Sequence, residues 1–160
     1  MSPPSVSLPY RASLFLLAHG RSGDKGDLVN IGVIARRADW YELLVRELTI
    51  ERVARHLSPL GIGRVERFEL ANLGALNFLV HDALGGGGAV TLRLDAQGKT
   101  YANALFRMEI DLEEDRRHEV IEHWGGSIPA WLRLEPRTPG AEGAPGDSAS
   151  RASDERKERR

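Results

Sequence analysis

The amino-acid sequence predicts an α+β fold in which about five mostly antiparallel strands carry helices on one face. Two periodicities support this prediction. Four apolar residues recur at the helical spacing i, i+3, i+4 and i+7, namely Ile50, Val53, Ala54 and Leu57. Further along the chain, Val90, Leu92 and Leu94 alternate with polar residues, which is typical of a strand with one wet face. Helices are therefore needed only on the dry face.

The predicted elements follow the order strand, strand, helix, strand, helix and hairpin, for which the nearest common architecture is a ferredoxin-like sandwich. The apolar run 13–18 fits a strand buried on both faces. Asp39 and Glu42 have capping-box spacing, while Thr49 caps the next helix and Pro59 ends it. The predicted elements are strands over 13–18 and 29–36, helices over 39–47 and 49–57, a strand over 64–70, a helix over 75–84 capped by Asn72, and a hairpin over 90–112 that turns at 96–99.

Composition limits the classes of function. The 160 residues contain 22 Lys and Arg against 23 Asp and Glu, which argues against a surface built to follow nucleic acid. The absence of cysteine excludes thiolate catalysis, zinc knuckles and disulfides. No apolar run approaches the length needed to span a bilayer, and the short run 14–18 does not fit a signal peptide. We expect a cytoplasmic protein.

Changes in composition divide the chain into four parts. Residues 1–11 form a proline-containing flexible leader, and residues 12–112 form one domain. Residues 113–135 are an appendage with a polar helix and two of the three tryptophans, which suggests a flap that packs on the domain or on another chain. Residues 136–160 lack large apolar side chains and are predicted to be disordered.

The densest chemistry lies in the polar segment 19–27 between the first two predicted strands. Its candidates are Arg21, Ser22, Gly23, Asp24, Lys25, Gly26 and Asp27, with Asn30 in the strand that follows. The two glycines allow positive φ, so successive amide groups can converge on an anion, and the lysine or arginine would add charge. The aspartates could accept hydrogen bonds, fix the lysine or hold a hard cation. A polar turn between strands uses the same residue types, although a connection this long favours function.

A second candidate segment begins at Asn72. Its simplest role is to cap the predicted helix over 75–84. Asn77 falls in the first turns of that helix, where an amide and free backbone donors can bind a carboxylate or phosphate, and His81 lies one turn further on the same face. We therefore expect one pocket formed by the polar segment and this helix start.

Several better-known motifs are absent or incomplete. The polar segment matches neither a Walker A motif, nor Gly-x-Gly-x-x-Gly, nor an EF-hand. His118 and His123 are five residues apart, one more than the His-Glu-x-x-His motif of zinc proteases requires. No Gly-x-Ser-x-Gly motif of a serine nucleophile occurs. The run 85–88 of four glycines is interpreted as a mobile link. No metal site or cofactor is predicted.

Four segments closely resemble the C-terminal domain of the acyclic terpene utilisation A (AtuA) family. They are Ala18 to Asp27, Asn30 to Arg36, Asn72 to Asn77 and Leu94 to Thr100, and the resemblance spans about residues 14–112. It implies a ferredoxin fold that occurs behind a larger domain or as a separate small protein beside a partner with that domain. It also implies a role in degrading branched acyclic terpenes or related acyl compounds. Gly20 stands where members of the family often have alanine.

The resemblance and the residues together leave two functions open. In the first, the chain is a small subunit that docks on a larger AtuA-type partner, as a homo- or hetero-oligomer, and supplies part of an anion or carboxylate site. In the second, the chain is an enzyme that acts on an acyl-CoA or a carboxylic acid, with Asp24, Lys25 and Asp27 as candidate acid/base groups. The predicted ligand-binding residues are Arg21, Ser22, Gly23, Gly26, Asn30, Asn72 and Asn77.

Overall fold

The computed structural model describes residues 10–132 and 134–136 as two antiparallel sheets with five α-helices. The strands are β1 (Tyr10–Ser13), β2 (Ala18–Lys25), β3 (Leu28–Ala35), β4 (Val65–Leu70), β5 (Ala75–Val80), β6 (Glu109–Leu112) and β7 (Leu134–Pro136). The helices are α1 (Leu14–Leu17), α2 (Tyr41–Glu47), α3 (Ile50–Leu57), α4 (Tyr101–Phe106) and α5 (Glu114–His123). The α+β class and the antiparallel pairing are confirmed, with seven described strands where about five were predicted.

The larger sheet has the strand order β2-β3-β5-β4. Side chains alternate between its faces, and Ile31, Val33 and Phe78 on one face are fully buried in the hydrophobic core. Residues of α2, α3 and α4 belong to the same core, so these helices cover that face. In the described part of the chain no helix covers the opposite face, which we call the open face. The predicted placement of helices on one side is confirmed.

The smaller sheet has the order β6-β1-β7, with β1 antiparallel to both neighbours. Tyr10 and Arg11 belong to β1, although the sequence assigned them to the leader. The segment after residue 112 packs on the core: Val120 is fully buried, and the indole N–H of Trp124 donates to the carbonyl of Leu16 at 3.1 Å. Pro136 ends β7, while the rest of the predicted tail and residues 1–9 lie outside the described residues.

The apolar run 13–18 is not a single strand, as the sequence predicted. It contains the end of β1, the one-turn helix α1 and the start of β2. Ser13 begins the helix because its Oγ accepts a hydrogen bond from the N–H of Phe15 at 3.4 Å. A short apolar run does not by itself distinguish a buried strand from a buried helical turn.

The predicted helix over 75–84 is also wrong, because this segment contains the strand β5. Leu76, Phe78 and Val80 are fully buried at a spacing of two residues, which is the spacing of one strand face. Asn72 caps no helix and lies exposed in a short 3₁₀ turn that ends at Gly74, whose φ is 58°.

The predicted hairpin over 90–112 is replaced by a loop, helix α4 and strand β6. Leu92 and Leu94 are fully exposed, Val90 is 68% exposed, and no strand forms there. Buried residues occur at positions 102, 106, 108, 110 and 112. Their separation by multiples of two residues resembles one face of a long strand, which is why the sequence predicted a hairpin arm. The alternation was therefore correct only for β6.

Of the two residues predicted to cap the starts of α2 and α3, one does not cap its helix and the other does. Asp39 does not cap α2, because its carboxylate pairs with the guanidinium of Arg37 at 3.0 Å and a 3₁₀ turn leads into the helix. Thr49 caps α3 as predicted, since its side chain accepts a hydrogen bond from the N–H of Arg52 at 3.2 Å. The helix ends at Leu57 and continues as a 3₁₀ turn.

Candidate functional site

The polar segment predicted as a loop is strand β2 of a tight hairpin. Lys25 pairs with Leu28, so only Gly26 and Asp27 form the turn. Gly26 has a φ of 68°, which suits the first position of a two-residue hairpin turn and favours glycine there. The prediction that this segment is a loop is therefore wrong. Because the segment is a strand, its successive side chains point to opposite faces of the sheet.

Strand alternation sends the side chains of this motif to opposite faces of the sheet. Ser22 faces the core, is 8% exposed, and accepts a hydrogen bond at its Oγ from the N–H of Ala102 at 2.9 Å. Asp24 lies on the same side as Ser22, whereas Arg21, Gly23 and Lys25 lie on the open face. Ser22 thus holds the first turn of α4 and does not reach a ligand on the open face.

Asp27 has a structural role at the hairpin turn. Its carboxylate accepts hydrogen bonds from the N–H groups of Leu84 at 3.2 Å and Gly86 at 2.8 Å. Its carbonyl accepts from Ala83 at 3.0 Å. In the four-glycine run after β5, residues 85–87 have positive φ. Gly87 is buried beside the hairpin turn. The four-glycine segment is therefore packed on the hairpin, contrary to the predicted mobile link.

The open face brings together part of the predicted site. Arg21 pairs with Gly32, which pairs in turn with Asn77 on β5. Two strand spacings, about 9.6 Å, separate the backbones of Arg21 and Asn77. In the next row, Gly23 pairs with Asn30. Four of the predicted ligand-binding residues thus share one face.

Two of these residues have unused polar groups. Arg21 is exposed, and no carboxylate of the described residues lies within ion-pair distance of its guanidinium. The Oδ1 atom of Asn30 is buried and has no hydrogen-bond partner among the described residues. A buried acceptor without a partner is costly.

The other predicted residues lie elsewhere. Lys25 and Gly26 are at the hairpin turn, near the pairing of Val29 with Val80, whereas Asn72 adjoins the opposite end of β5. The two ends are about 17 Å apart for five residues at about 3.4 Å each. The single pocket expected to join Lys25 and Asp24 to Asn72 is therefore not formed.

His81 lies just beyond β5, and not on a helix as predicted. Its Nε2 atom lies 2.6 Å from Oε1 of Glu66, and the Arg64 guanidinium contacts the same carboxylate at 2.6 Å. The hydrogen bond from His81 and the charge of Arg64 lower the pKa of Glu66. The pair stabilises the β4 edge of the sheet.

The open face also contains apolar residues that the sequence analysis did not select. Ile34, Phe68 and Leu70 are 40%, 45% and 39% exposed. Phe68 shares a row with Gly32 across Asn77, and Leu70 shares the next row with Ile34 across Ala75. At Gly32 itself, a Cβ would meet no described atom within 4 Å. The alternation of Phe68 and Leu70 with charged residues in β4 was the signal for this face.

A loop before α4 packs against the hairpin. Gly98 has a φ of 61° and packs so closely on Val29 that it leaves no space for a side chain. The Lys99 ammonium lies beside Gly23, 2.9 Å from the position that a Cβ would occupy. Two segments of the family resemblance, around Gly23 and around Gly98, are therefore in contact, and Lys99 was missed because residues 96–99 were predicted as a hairpin turn.

Two cavities of the described part lie away from the open face. One, of about 390 Å³, lies beside α4 and is lined by Ser13, Phe15, Asn103, Phe106, Arg107, Trp131 and Leu132. The other, of about 370 Å³, is lined mainly by charged side chains, and its Arg116 pairs with Glu119 at 2.6 Å. No cluster of His, Asp and Glu in the described residues has an arrangement that could hold a metal ion.

The two antiparallel sheets and five helices define the class of protein as an α+β ferredoxin-like domain. The chain belongs to the AtuA ferredoxin-like domain family, whose model matches residues 12–111. No curated protein and no solved structure matches the chain. None of the helices within 10–132 is long and apolar enough to cross a membrane.

Proposed function

We propose that this chain is an accessory domain that docks its open face on a larger AtuA-type protein, in the catabolism of acyclic terpenes or related branched acyl compounds. The observation that supports this proposal is the asymmetry of the larger sheet. Helices bury one face, while the other exposes Ile34 on β3 and Phe68 and Leu70 on β4. Contiguous exposed apolar side chains on a sheet favour association with another protein surface.

Gly32 gives this surface a particular shape. Because it has no side chain and nothing lies above it, a partner can approach the backbone closely between Arg21 and Asn77. Phe68 and Leu70 lie on the β4 side of this gap, Ile34 lies beside it on β3, and Arg21 lies on the β2 side. An apolar region with a polar margin is the usual composition of a protein interface.

Membership of the AtuA ferredoxin-like family supports the choice of partner, since the family name refers to this domain as one part of AtuA. A larger AtuA-type protein would therefore provide the surface that faces the open sheet. We place the chain with that partner in the cytoplasm.

The polar residues of the open face would contribute to an anion site at this interface. Arg21 has no carboxylate partner among the described residues, and Asn30 and Asn77 lie on the same face, where their amide N–H groups could donate. Guanidinium and amide groups together suit a carboxylate or a phosphate. We propose that they hold the carboxylate or the phosphates of an acyl substrate, with the remaining contacts supplied by the partner.

The alternative of acid/base catalysis by Asp24 and Lys25 receives no support from the geometry. The two residues are adjacent on β2, so their side chains point to opposite faces of the sheet. The third candidate, Asp27, uses its carboxylate to hold the segment that follows β5. A shared catalytic centre would require these groups to converge.

Co-purification with the larger AtuA-type protein tests the proposal. The complete chain and two variants, Phe68→Asp and Leu92→Asp, would be co-expressed with that protein. Leu92 is also an exposed leucine but lies in the loop before α4, away from the open face. We expect the parent chain and Leu92→Asp to co-purify and Phe68→Asp to be lost. Equal recovery of both variants, or no recovery of the parent chain, would refute docking through this face.

A further inference from the structure

The cavity of about 390 Å³ beside α4 combines aromatic walls with one charged side chain. Phe15, Phe106, Trp131 and Leu132 supply the apolar surface, and Arg107 is the charged residue of its lining. The cavity lies on the helix side of the larger sheet, because Ser22 on that side hydrogen-bonds the first turn of α4. It is therefore separate from the open face.

The aromatic wall is held in a fixed arrangement. The ring of Phe15 makes an edge contact with Phe106, at a centroid distance of 6.3 Å, and another with Trp131, at 5.5 Å. Behind it, the guanidinium of Arg36 lies 5.1 Å from the ring centroids of both Phe15 and Trp124. These contacts restrain the rings before any ligand arrives, so little conformational entropy is lost on binding.

The polar groups that line the cavity differ in whether they already have a hydrogen-bond or ion-pair partner. The hydroxyl of Ser13 donates to the carbonyl of Phe106 at 2.8 Å, so both groups are already satisfied. Arg107 is exposed and has no carboxylate within ion-pair distance among the described residues, and Asn103 is exposed beside it. None of the described lining residues is acidic. The cavity therefore offers apolar walls and one unneutralised cation.

We infer that this cavity binds an apolar carboxylic acid, with the hydrocarbon chain against Phe15 and Trp131 and the carboxylate on Arg107 and Asn103. Its volume of about 390 Å³ lies within the range of about 300–1,000 Å³ that is usual for small-molecule sites. A concave apolar site with few polar groups is the usual form of a small-molecule site. Trp131 is 70% exposed and would be covered by the chain of the ligand.

Calorimetric titration of the complete chain with octanoate and with octan-1-ol tests this assignment. Octanoate has about ten non-hydrogen atoms, and octan-1-ol has the same chain without the charge. We expect saturable binding of one octanoate per chain, about tenfold tighter than that of octan-1-ol, because the ion pair with Arg107 is lost with the alcohol. Absence of saturable octanoate binding, or equal affinity for the two ligands, would overturn the inference.

Variants separate the two parts of the cavity. Arg107→Gln should weaken octanoate binding about tenfold and leave octan-1-ol binding unchanged, whereas Trp131→Ala should weaken both. Arg55→Gln and Leu92→Ala are the controls, because these exposed residues lie outside the cavity lining, and both should bind octanoate like the parent chain. Unchanged octanoate binding by Arg107→Gln would refute the carboxylate contact. Since the titration uses this chain alone, its outcome is independent of docking through the open face.

Discussion

At Gly20, strand β2 passes so close to β3 that there is no room for a side chain. A Cβ at this position would collide with the carbonyl oxygen of Gly32 and lie 3.0 Å from the ring of Phe106. The carbonyl belongs to the sheet backbone, so it cannot move without disturbing the ladder. The glycine is thus required by packing, although the resemblance to the family would favour alanine.

Gly20→Ala should lower the free energy of unfolding by about 1–3 kcal/mol, which is the usual cost of overpacking. Gly32→Ala is the matched control, because a Cβ at that position meets nothing within 4 Å and should change stability by less than about 0.5 kcal/mol. Urea unfolding of both variants measures the difference. Equal stability of Gly20→Ala and Gly32→Ala would show that the strands have more space than the structure indicates.

At the level of the element, Asp95 organises the loop that leads into α4. Its carboxylate accepts hydrogen bonds from the N–H groups of Lys99 and Thr100, both at 2.8 Å, and from the hydroxyl of Thr100 at 2.6 Å. Partial burial by itself raises the pKa of Asp95, but the hydrogen bonds from Thr100 and Lys99 outweigh this effect, and the pKa lies below its ordinary value of 3.8. The folded state therefore favours the ionised carboxylate.

A carboxyl group with a lowered pKa stabilises the fold above its unfolded pKa, and this stabilisation disappears as the pH falls through the folded value. Asp95→Asn should therefore be less stable than the parent chain near neutral pH, and the difference should shrink below about pH 4. Unfolding free energies measured from about pH 6 to about pH 3 test this. The control is Asp24→Asn, since Asp24 accepts no hydrogen bond among the described residues. A difference that stays constant with pH would contradict the role of Asp95.

The sequence predicted those elements whose signals are local. The Thr49 cap and the spacing of Val53 and Leu57 identified α3, because capping and helical periodicity depend only on neighbouring residues. β2 was missed because its glycine, serine and charged residues are typical of a turn, whereas its pairing with β3 is a tertiary effect. β5 was mistaken for a helix because a short apolar run fits both periods until its strand neighbours are known.

The candidate site was predictable in its residues but not in its arrangement. Arg21, Asn30 and Asn77 were selected by residue type, and the register of β2, β3 and β5 places them on one face. The same register places the side chain of Ser22 on the core side of the sheet. A shift of one residue exchanges the two faces of a strand, so this division could not be obtained without the strand pairing.

At the scale of the whole molecule, the two surfaces that we propose for recognition are separate. The open face exposes apolar residues on β3 and β4, and the cavity beside α4 lies on the other side of the same sheet. The segment after β6 contributes to the second surface through Trp131 and Leu132, and it lies beyond the residues matched by the family model. Docking on the partner would leave that cavity available to a ligand.

Thiol labelling measures most directly whether the open face is covered by the partner. The chain has no cysteine, so Ile34→Cys and Leu92→Cys each introduce a single exposed thiol, on the open face and in the loop before α4 respectively. The rate of maleimide labelling would be followed for each variant with and without the larger AtuA-type protein. We predict that the partner slows the labelling of Ile34→Cys several-fold and leaves that of Leu92→Cys unchanged. Labelling of Ile34→Cys at the same rate in both conditions would contradict docking through the open face.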